Sequence, residues 1–354
     1  MMFARNGKAL MTTAVVAASF SLLLAGCAAA PEAETPAADD SVDCSMLSGK
    51  TISLIVPYST GGGYDIYARL IAPALAEALD AQVIVENQPG AGGLLAINGI
   101  VNAEPDGTKI AIMNGAGVAA SILGGAEGAD FGFDDLSYIG RIGAENTLIL
   151  TAADSEYDTW EDVMNSDGFR FGSTGPGASD YITPTILMEA FPLKNAEIIT
   201  GFPGQAETLL SLLQGNVDGL TKPGDTSRPG IEGGDHTPVL SMTMDAPADF
   251  AAGATYVGEL DMNKKQEMLL TSHIKVNELG RPLIAPPGMD QRTLDCLRHT
   301  YDRAAHDDED LLKQAEAQNT PIAYISGEDV ENKVIEDIKN LPEEYLTLLK
   351  GAFK

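Results

Sequence analysis

ISLIVPYSTGGGYD (Ile52–Asp65) is an apolar, β-branched run that stops at Pro57, followed by a Gly-rich turn and the opening of a helix. Ile66, Leu70, Ile71, Ala74 and Leu75 continue at helical spacing, which predicts a helix over 65–79. VIVENQPGAGG (Val83–Gly93) then repeats the strand and the Gly-rich turn. Thr108–Met113 is a third predicted strand, and Asn114-Gly115-Ala116-Gly117 opens another helix. Glycine lets backbone approach a ligand closely, and the free N–H groups of a first helical turn attract anions. Strands alternating with helices predict a parallel sheet, whose ligands sit beyond the carboxyl ends of its strands. One crevice edged by turns 57–65, 88–93 and 114–118 is the expectation.

The device recurs further along. Strand Arg170–Gly172 leads into the turn Gly172–Asp180 and a helix to Phe191, and strand Glu197–Ile199 precedes Phe202-Pro203-Gly204-Gln205 and the helix Ala206–Gln214. A strand Val217–Leu220, with Lys222 just beyond it, and a strand Pro238–Met242 complete a second α/β unit. Leu283–Ala285 would carry the chain back to the first unit, followed by helices over 290–306 and 308–318 and a strand near Ile322–Ile325. The predicted class is α/β, a two-lobe periplasmic-binding-protein-like fold of type II character with a hinge crossed by two strands. Lobe 1 is expected over 49–148 and 276–354, and lobe 2 over 149–275. Closure of such lobes around a ligand is the expected motion.

The motifs resemble those of substrate-binding proteins of tripartite tricarboxylate transporters, the Bug family. The matching residues are Pro57, Gly61–Gly63 and Asp65, then Glu86-Asn87, Pro89–Gly93 and Ala103–Gly107. Gly172–Ser179 is similar to that family's Gly-Ser-x-Gly-x-Gly-Ser turn, and Gly215–Asp218 to its G-x-V-D strand entry. The resemblance implies a small carboxylate as ligand (a tri- or dicarboxylate or an aromatic acid), no cofactor, and integral-membrane transporter subunits as partners. It implies that Tyr58, Ser59, Gly62, Gly63, Asp65, Asn114, Gly115, Ala116 and Gly117 hold one carboxylate, partly through water. Ser173, Thr174, Gly177, Ala178, Ser179, Pro203, Gly204 and Gln205 would select the rest of the ligand. Asp65 would repel an anion, so helix capping is its simpler role, and Asp218 is read as structural. Lys222 departs from the acidic or polar residue usual at its position. It is either a counter-charge for the ligand or a solvated surface lysine.

The N-terminus reads as an export signal. Arg5 and Lys8 precede an apolar run from Ala9 to Leu24, and Leu24-Ala25-Gly26-Cys27 resembles a bacterial lipoprotein cleavage site over 1–26, with lipid on Cys27. The product would be lipid-anchored to a bacterial membrane, facing the periplasm or exterior. Residues 27–48 are Ala, Pro and acid rich and read as a tether. Cys44 and Cys296 remain, and a disulfide between them or two free thiols are both open readings.

Net charge is −29, and since Arg5 and Lys8 are the only charges before Cys27, the remainder carries −31. Nucleic acid and anionic membrane surfaces are thereby disfavoured as partners. No Gly-x-Ser-x-Gly, P-loop or His-Glu-x-x-His pattern occurs, which argues against an enzyme. His299 and His306 lack a third ligand nearby, and His306–Asp310 lacks an EF-hand pattern, so no metal site is expected. A ligand sensor serving a signalling protein would have the same fold, and it is the alternative to transport.

Overall fold

The computed structural model describes residues 42–353; the expected signal segment and Cys27 lie outside them. Two six-stranded sheets form the frame. The first contains β1 (Thr51–Val56), β2 (Gln82–Asn87), β3 (Lys109–Ile112), β4 (Ser137–Gly143), β11 (Arg281–Ala285) and β12 (Ile325–Ser326), in the order β12-β4-β11-β3-β1-β2. The second contains β5 (Thr147–Ala152), β6 (Arg170–Gly172), β7 (Glu197–Ile199), β8 (Gly219–Pro223), β9 (His236–Ser241) and β10 (Thr255–Tyr256), in the order β10-β9-β5-β8-β6-β7.

β1 pairs in parallel with β2 and β3, with Leu54 opposite Val85 and Ile110. The turns after these three strands therefore leave the sheet at one edge. β2 lies at the border, and its residues alternate between exposed and half-buried, while β1 inside is nearly all buried. In the second sheet β6 is parallel to β7 and β8, so the turns after β6 and β7 also emerge together. β5 runs antiparallel to β8 and β9.

The chain first passes between sheets through Ala144-Glu145-Asn146, linking β4 to β5. It returns through a helix, Lys264–Asn277, that ends just before β11. The helix Gly115–Gly124, which follows β3, packs on the helix Ser179–Ala190, which follows β6. Ala116, Ala119 and Ala120 join Ile182, Ile186, Leu187, Leu269, Leu270 and Leu349 in one buried apolar cluster. The two lobes thus share a hydrophobic seam as well as the crossing segments. Separating it would re-expose apolar surface at about 25 cal/mol per Å². Lobe movement would have to pivot about the seam rather than pull it apart.

His273 is fully buried in that seam, with Nε2 2.8 Å from Thr183 Oγ1 and Nδ1 3.1 Å from Tyr345 Oη. Burial pushes its pKa from 6.5 down to about 3. A histidine depressed in the fold contributes stability that is intact above its unfolded pKa, about 6.5, and is lost as pH falls toward the folded value. Asp180 acts oppositely. Burial pushes it up to about 6 against the hydrogen bonds of Thr174 and Ser173, so its strain is relieved in acid. A His273→Gln variant isolates the first effect: its denaturation free energy should fall less steeply than wild type between pH 6.5 and 4. Parallel curves would refute this assignment.

The stretch expected to be a tether is described from residue 42 onward, and there it is docked. Leu47 is fully buried, and Cys44 is disulfide-bonded to Cys296 across a separation of 252 residues. Such a bond restricts the unfolded chain and typically contributes about 2–4 kcal/mol. The helix Gly224–Gly233 carries Pro229 and three further glycine or proline residues, which hides it from propensity.

Candidate ligand-binding site

The first turn is organised by Tyr58. Its ring is buried, and its hydroxyl donates to the Gly92 carbonyl (2.9 Å) while accepting from Asn114 Nδ2 (2.9 Å). One phenol thereby ties together the turns after β1, β2 and β3. Asn114 Nδ2 also reaches Ser179 Oγ in the second lobe (3.2 Å), and its Oδ1 accepts from Gly117 N (2.9 Å). Asn114 is thus a cap and a bridge, with its amide committed on both sides.

Across the crevice the turns touch. Ser59 N donates to the Pro203 carbonyl at 3.2 Å, and Ser59 Oγ donates to Glu207 Oε2 at 2.7 Å. Gly92, at φ 64°, packs so tightly that a Cβ would lie 2.5 Å from Gly177 N. A Cβ on Gly117 would lie 2.4 Å from the Gly177 carbonyl oxygen. Both contacts are backbone against backbone, so glycine is needed for approach. Gly115, Ala116, Gly117, Gly177 and Ala178 are consequently buried in the junction between the lobes.

Open space remains beside them. Tyr58, Thr174, Pro203, Phe202, Gly201 and Pro89–Gly93 line a cavity of about 240 Å³. The turn 89–93, Gly201 and Phe202 were not among the nominated residues. The turn was legible as an edge of the crevice; Phe202 carried no signal of its own.

Asp65 is the third residue of the helix Gly63–Ala78, not its N-cap. Its carboxylate accepts from Gly61 N (2.9 Å), Asn87 Nδ2 (3.0 Å) and Arg69 Nε (3.0 Å). Burial pushes its pKa up, but the Arg69, Gly61 and Asn87 contacts outweigh this and hold it below the usual range. Asp65 buttresses the turn. Asp180 does the same for the opposite one, accepting from Ser173 Oγ (2.9 Å), Thr174 N (3.1 Å) and Thr174 Oγ1 (3.0 Å). Asp218 pairs with Arg170, a structural contact.

Four helices that begin at the crevice have no side-chain cap. Their N-caps are Gly62, Ala178, Gly204 and Pro223. Elsewhere Thr159, Asn263, Asp290 and Asp308 supply side-chain caps. The helices after Gly62, Ala178 and Gly204 thus leave first-turn N–H groups without the usual side-chain acceptor among the described residues, whereas Asp225 Oδ1 accepts from Thr226 N in the helix after Pro223. Gly63 and Thr226 bring two of these starts together, since a Cβ on Gly63 would lie 2.9 Å from Thr226 Cγ2.

Lys222 stands beside that junction. It lies within β8, paired with Leu148 of β5, rather than beyond the strand as expected. Its Nζ donates to the Thr226 carbonyl, and among the described residues no carboxylate lies within 4.0 Å of it. Burial lowers its pKa to about 8, against a smaller upward pull from Asp225. Among the described residues Gln205 Oε1 is buried without a hydrogen-bond partner.

Sequence reasoning missed an ion network beside the crossing. Arg281 is fully buried; Nη1 donates to Asp225 Oδ2 (2.9 Å) and the Ala144 carbonyl (3.0 Å), and Nη2 to Asp225 Oδ1 (3.2 Å). Tyr67 Oη donates to Asp225 Oδ2 at 2.6 Å, and Tyr64 Oη donates to Glu145 Oε1. Nothing in the local sequence marks these partners, because they come from β11, from the helix after β8 and from the crossing.

Two lobes with facing Gly-rich, uncapped edges define a periplasmic solute-binding fold. The chain belongs to the tripartite tricarboxylate transporter receptor family, whose profile matches residues 67–313. That match begins after the first turn. A UPF0065 protein of Bordetella pertussis is 30% identical over 188 residues, covering 51% of this chain and 57% of that one. The chain spans about half the length of the curated relatives it matches. Among solved structures, periplasmic binding protein BugD superposes with a TM-score of 0.70 at 20% identity, covering 86% of this chain and 97% of that one. MatC of Rhodopseudomonas palustris with bound malate gives 0.69 at 17% identity, covering 86% and 99%. At these identities the likeness concerns the fold.

Proposed function

We propose that this protein captures a small carboxylate between its lobes and delivers it to the membrane subunits of a tripartite tricarboxylate-type transporter. It would act outside the cytoplasm, anchored through lipid on Cys27. The observation that carries the carboxylate is the conjunction of uncapped helix starts and a half-buried cation with no carboxylate within 4.0 Å among the described residues. Lys222 immediately precedes Pro223, the N-cap of the helix Gly224–Gly233. A half-buried positive charge beside the positive end of a helix dipole is offset there by Asp225 in the first turn, and a ligand anion would relieve both further. The malate held by MatC, which shares the fold, agrees with a carboxylate of this size.

A thermal-shift screen of the purified protein against small carboxylates tests the reading. A ligand at 100 times its Kd stabilises the native state by about 2.7 kcal/mol, enough to detect. Chromatographic recovery of the acid unchanged would separate binding from turnover. No shift with any carboxylate, in protein shown by native mass spectrometry to be empty, would overturn the reading.

Affinity should also depend on pH. An anion raises the pKa of the lysine it pairs with. Lys222 starts at about 8, so binding above that pH takes up a proton and weakens as pH rises. Calorimetry from pH 7 to 9.5 should show declining affinity, with proton uptake. A flat profile would separate Lys222 from the ligand.

A further inference from the structure

A second cavity, about 720 Å³, lies at the crossing between the lobes and is three times the volume of the 240 Å³ crevice cavity. None of the residues nominated for the crevice lines it. Its walls come from the crossing segment Ala144–Asn146, from the first lobe around Thr320 and Pro321, and from the second lobe over Ser241–Ala248. Leu148, Met242, Pro247, Phe250 and Ile274 make an apolar lining.

Two buried polar groups on this lining have unmet hydrogen-bonding capacity. Asn277 is 3% exposed, and among the described residues neither its Nδ2 nor its Oδ1 has a partner. Glu145 is 4% exposed; Tyr64 engages its Oε1 and Arg281 Nε lies 3.8 Å from it, while Oε2 has no partner among the described residues. Leaving such groups buried without a partner is destabilising. The charges around the cavity are unequal. Asp245, Glu278 and Glu316 line it without a cation within 4.0 Å among the described residues. Of the lining arginines, Arg228 pairs with Glu232, while Arg141 donates to the Ala323 and Glu278 carbonyls and keeps its charge, so three carboxylates stand against one cation.

We propose that this cavity is a binding site for an organic ammonium ion carrying an apolar body. The ammonium group would meet Glu145 and the Asn277 carbonyl oxygen, and the body would lie against Met242, Pro247 and Phe250. An anion would face uncompensated carboxylates. A purely apolar molecule would leave Glu145 and Asn277 unsatisfied. The site is independent of the carboxylate crevice, although its walls come from both lobes and its occupancy would bear on their arrangement.

Calorimetric titration of the full chain with phenethylammonium tests this, alongside 3-phenylpropionate, which carries the same ring with opposite charge, and ammonium ion alone. Phenethylammonium should bind saturably at one site, and the two comparators should not. Phe250→Ala should weaken it by about tenfold through lost ring packing. The exposed pair Glu278→Gln with Glu316→Gln should weaken it by about fivefold, leaving the core intact should Phe250→Ala fail to fold. No saturable binding at millimolar phenethylammonium would overturn the proposal. So would equal binding of 3-phenylpropionate, or unchanged affinity in the folded variants.

Discussion

Arg281→Met is expected to destabilise the protein by about 3–5 kcal/mol, the usual result of removing one partner from a buried ion pair. Arg281 is fully buried and is held bidentately by Asp225, with Glu145 Oε1 3.8 Å from its Nε. Its guanidinium also lies over the Tyr67 ring, 4.6 Å from the centroid. Burial pushes the Asp225 pKa up, but Arg281 and Tyr67 outweigh it and hold the carboxyl below its usual range. The wild-type contribution of Asp225 is therefore present above the unfolded carboxylate pKa, about 4, and lost in acid. Without Arg281 the sign reverses. Both carboxyls would sit buried without a counter-charge, their pKa values would rise, and the deficit would shrink as pH falls and they protonate. Urea denaturation at pH 7 and pH 5 measures this. A double variant, Arg281→Met with Asp225→Asn, should lose less than the sum of the single changes. A deficit below about 1 kcal/mol, or one independent of pH, would contradict the role assigned to the network.

Lys222→Met is expected to weaken an anionic ligand by more than tenfold, a loss of about 1.4 kcal/mol or more. The reason is the setting of the charge. Lys222 is held by the Thr226 carbonyl and has no carboxylate within 4.0 Å among the described residues, so an anion that reaches it would meet no competing ion pair, although Lys222 is not among the residues lining the 240 Å³ cavity. Methionine retains most of the stem's volume and removes only the charge. The folded protein should not suffer, since a half-buried ammonium already costs desolvation; that cost lowers its pKa to about 8. Binding calorimetry with the carboxylate found by the screen gives the affinity, and denaturation gives the stability. Unchanged affinity would move Lys222 out of the site and leave the helix starts alone to hold the anion.

The strands and Gly-rich turns of this protein were legible because their signals are local. β1 is an unbroken apolar run ended by Pro57, and the glycines after β1, β2 and β3 announce turns at one sheet edge. Thr159 and Asp162 form the capping box that their spacing predicts. Asn263 and Gln266 form another, a legible start to the helix Lys264–Asn277 that sequence reading passed over. The helix Gly224–Gly233 had no such signal, and its Gly and Pro content pointed away from it.

What each nominated residue does was decided by tertiary structure. The sequence alone determined that Asn114, Asp65 and the glycines of 115–117 lie at turns facing a crevice. Only the fold spent the Asn114 amide on Tyr58, Ser179 and Gly117, turned Asp65 toward Arg69 and Asn87, and packed Gly117 against Gly177. Likewise, Arg281 meets Asp225 and Glu145 from 56 and 136 residues away. A turn or a strand is fixed by steric preferences of neighbouring residues, which the sequence carries directly. A buried charge is fixed by partners that converge only when the sheets and helices have packed.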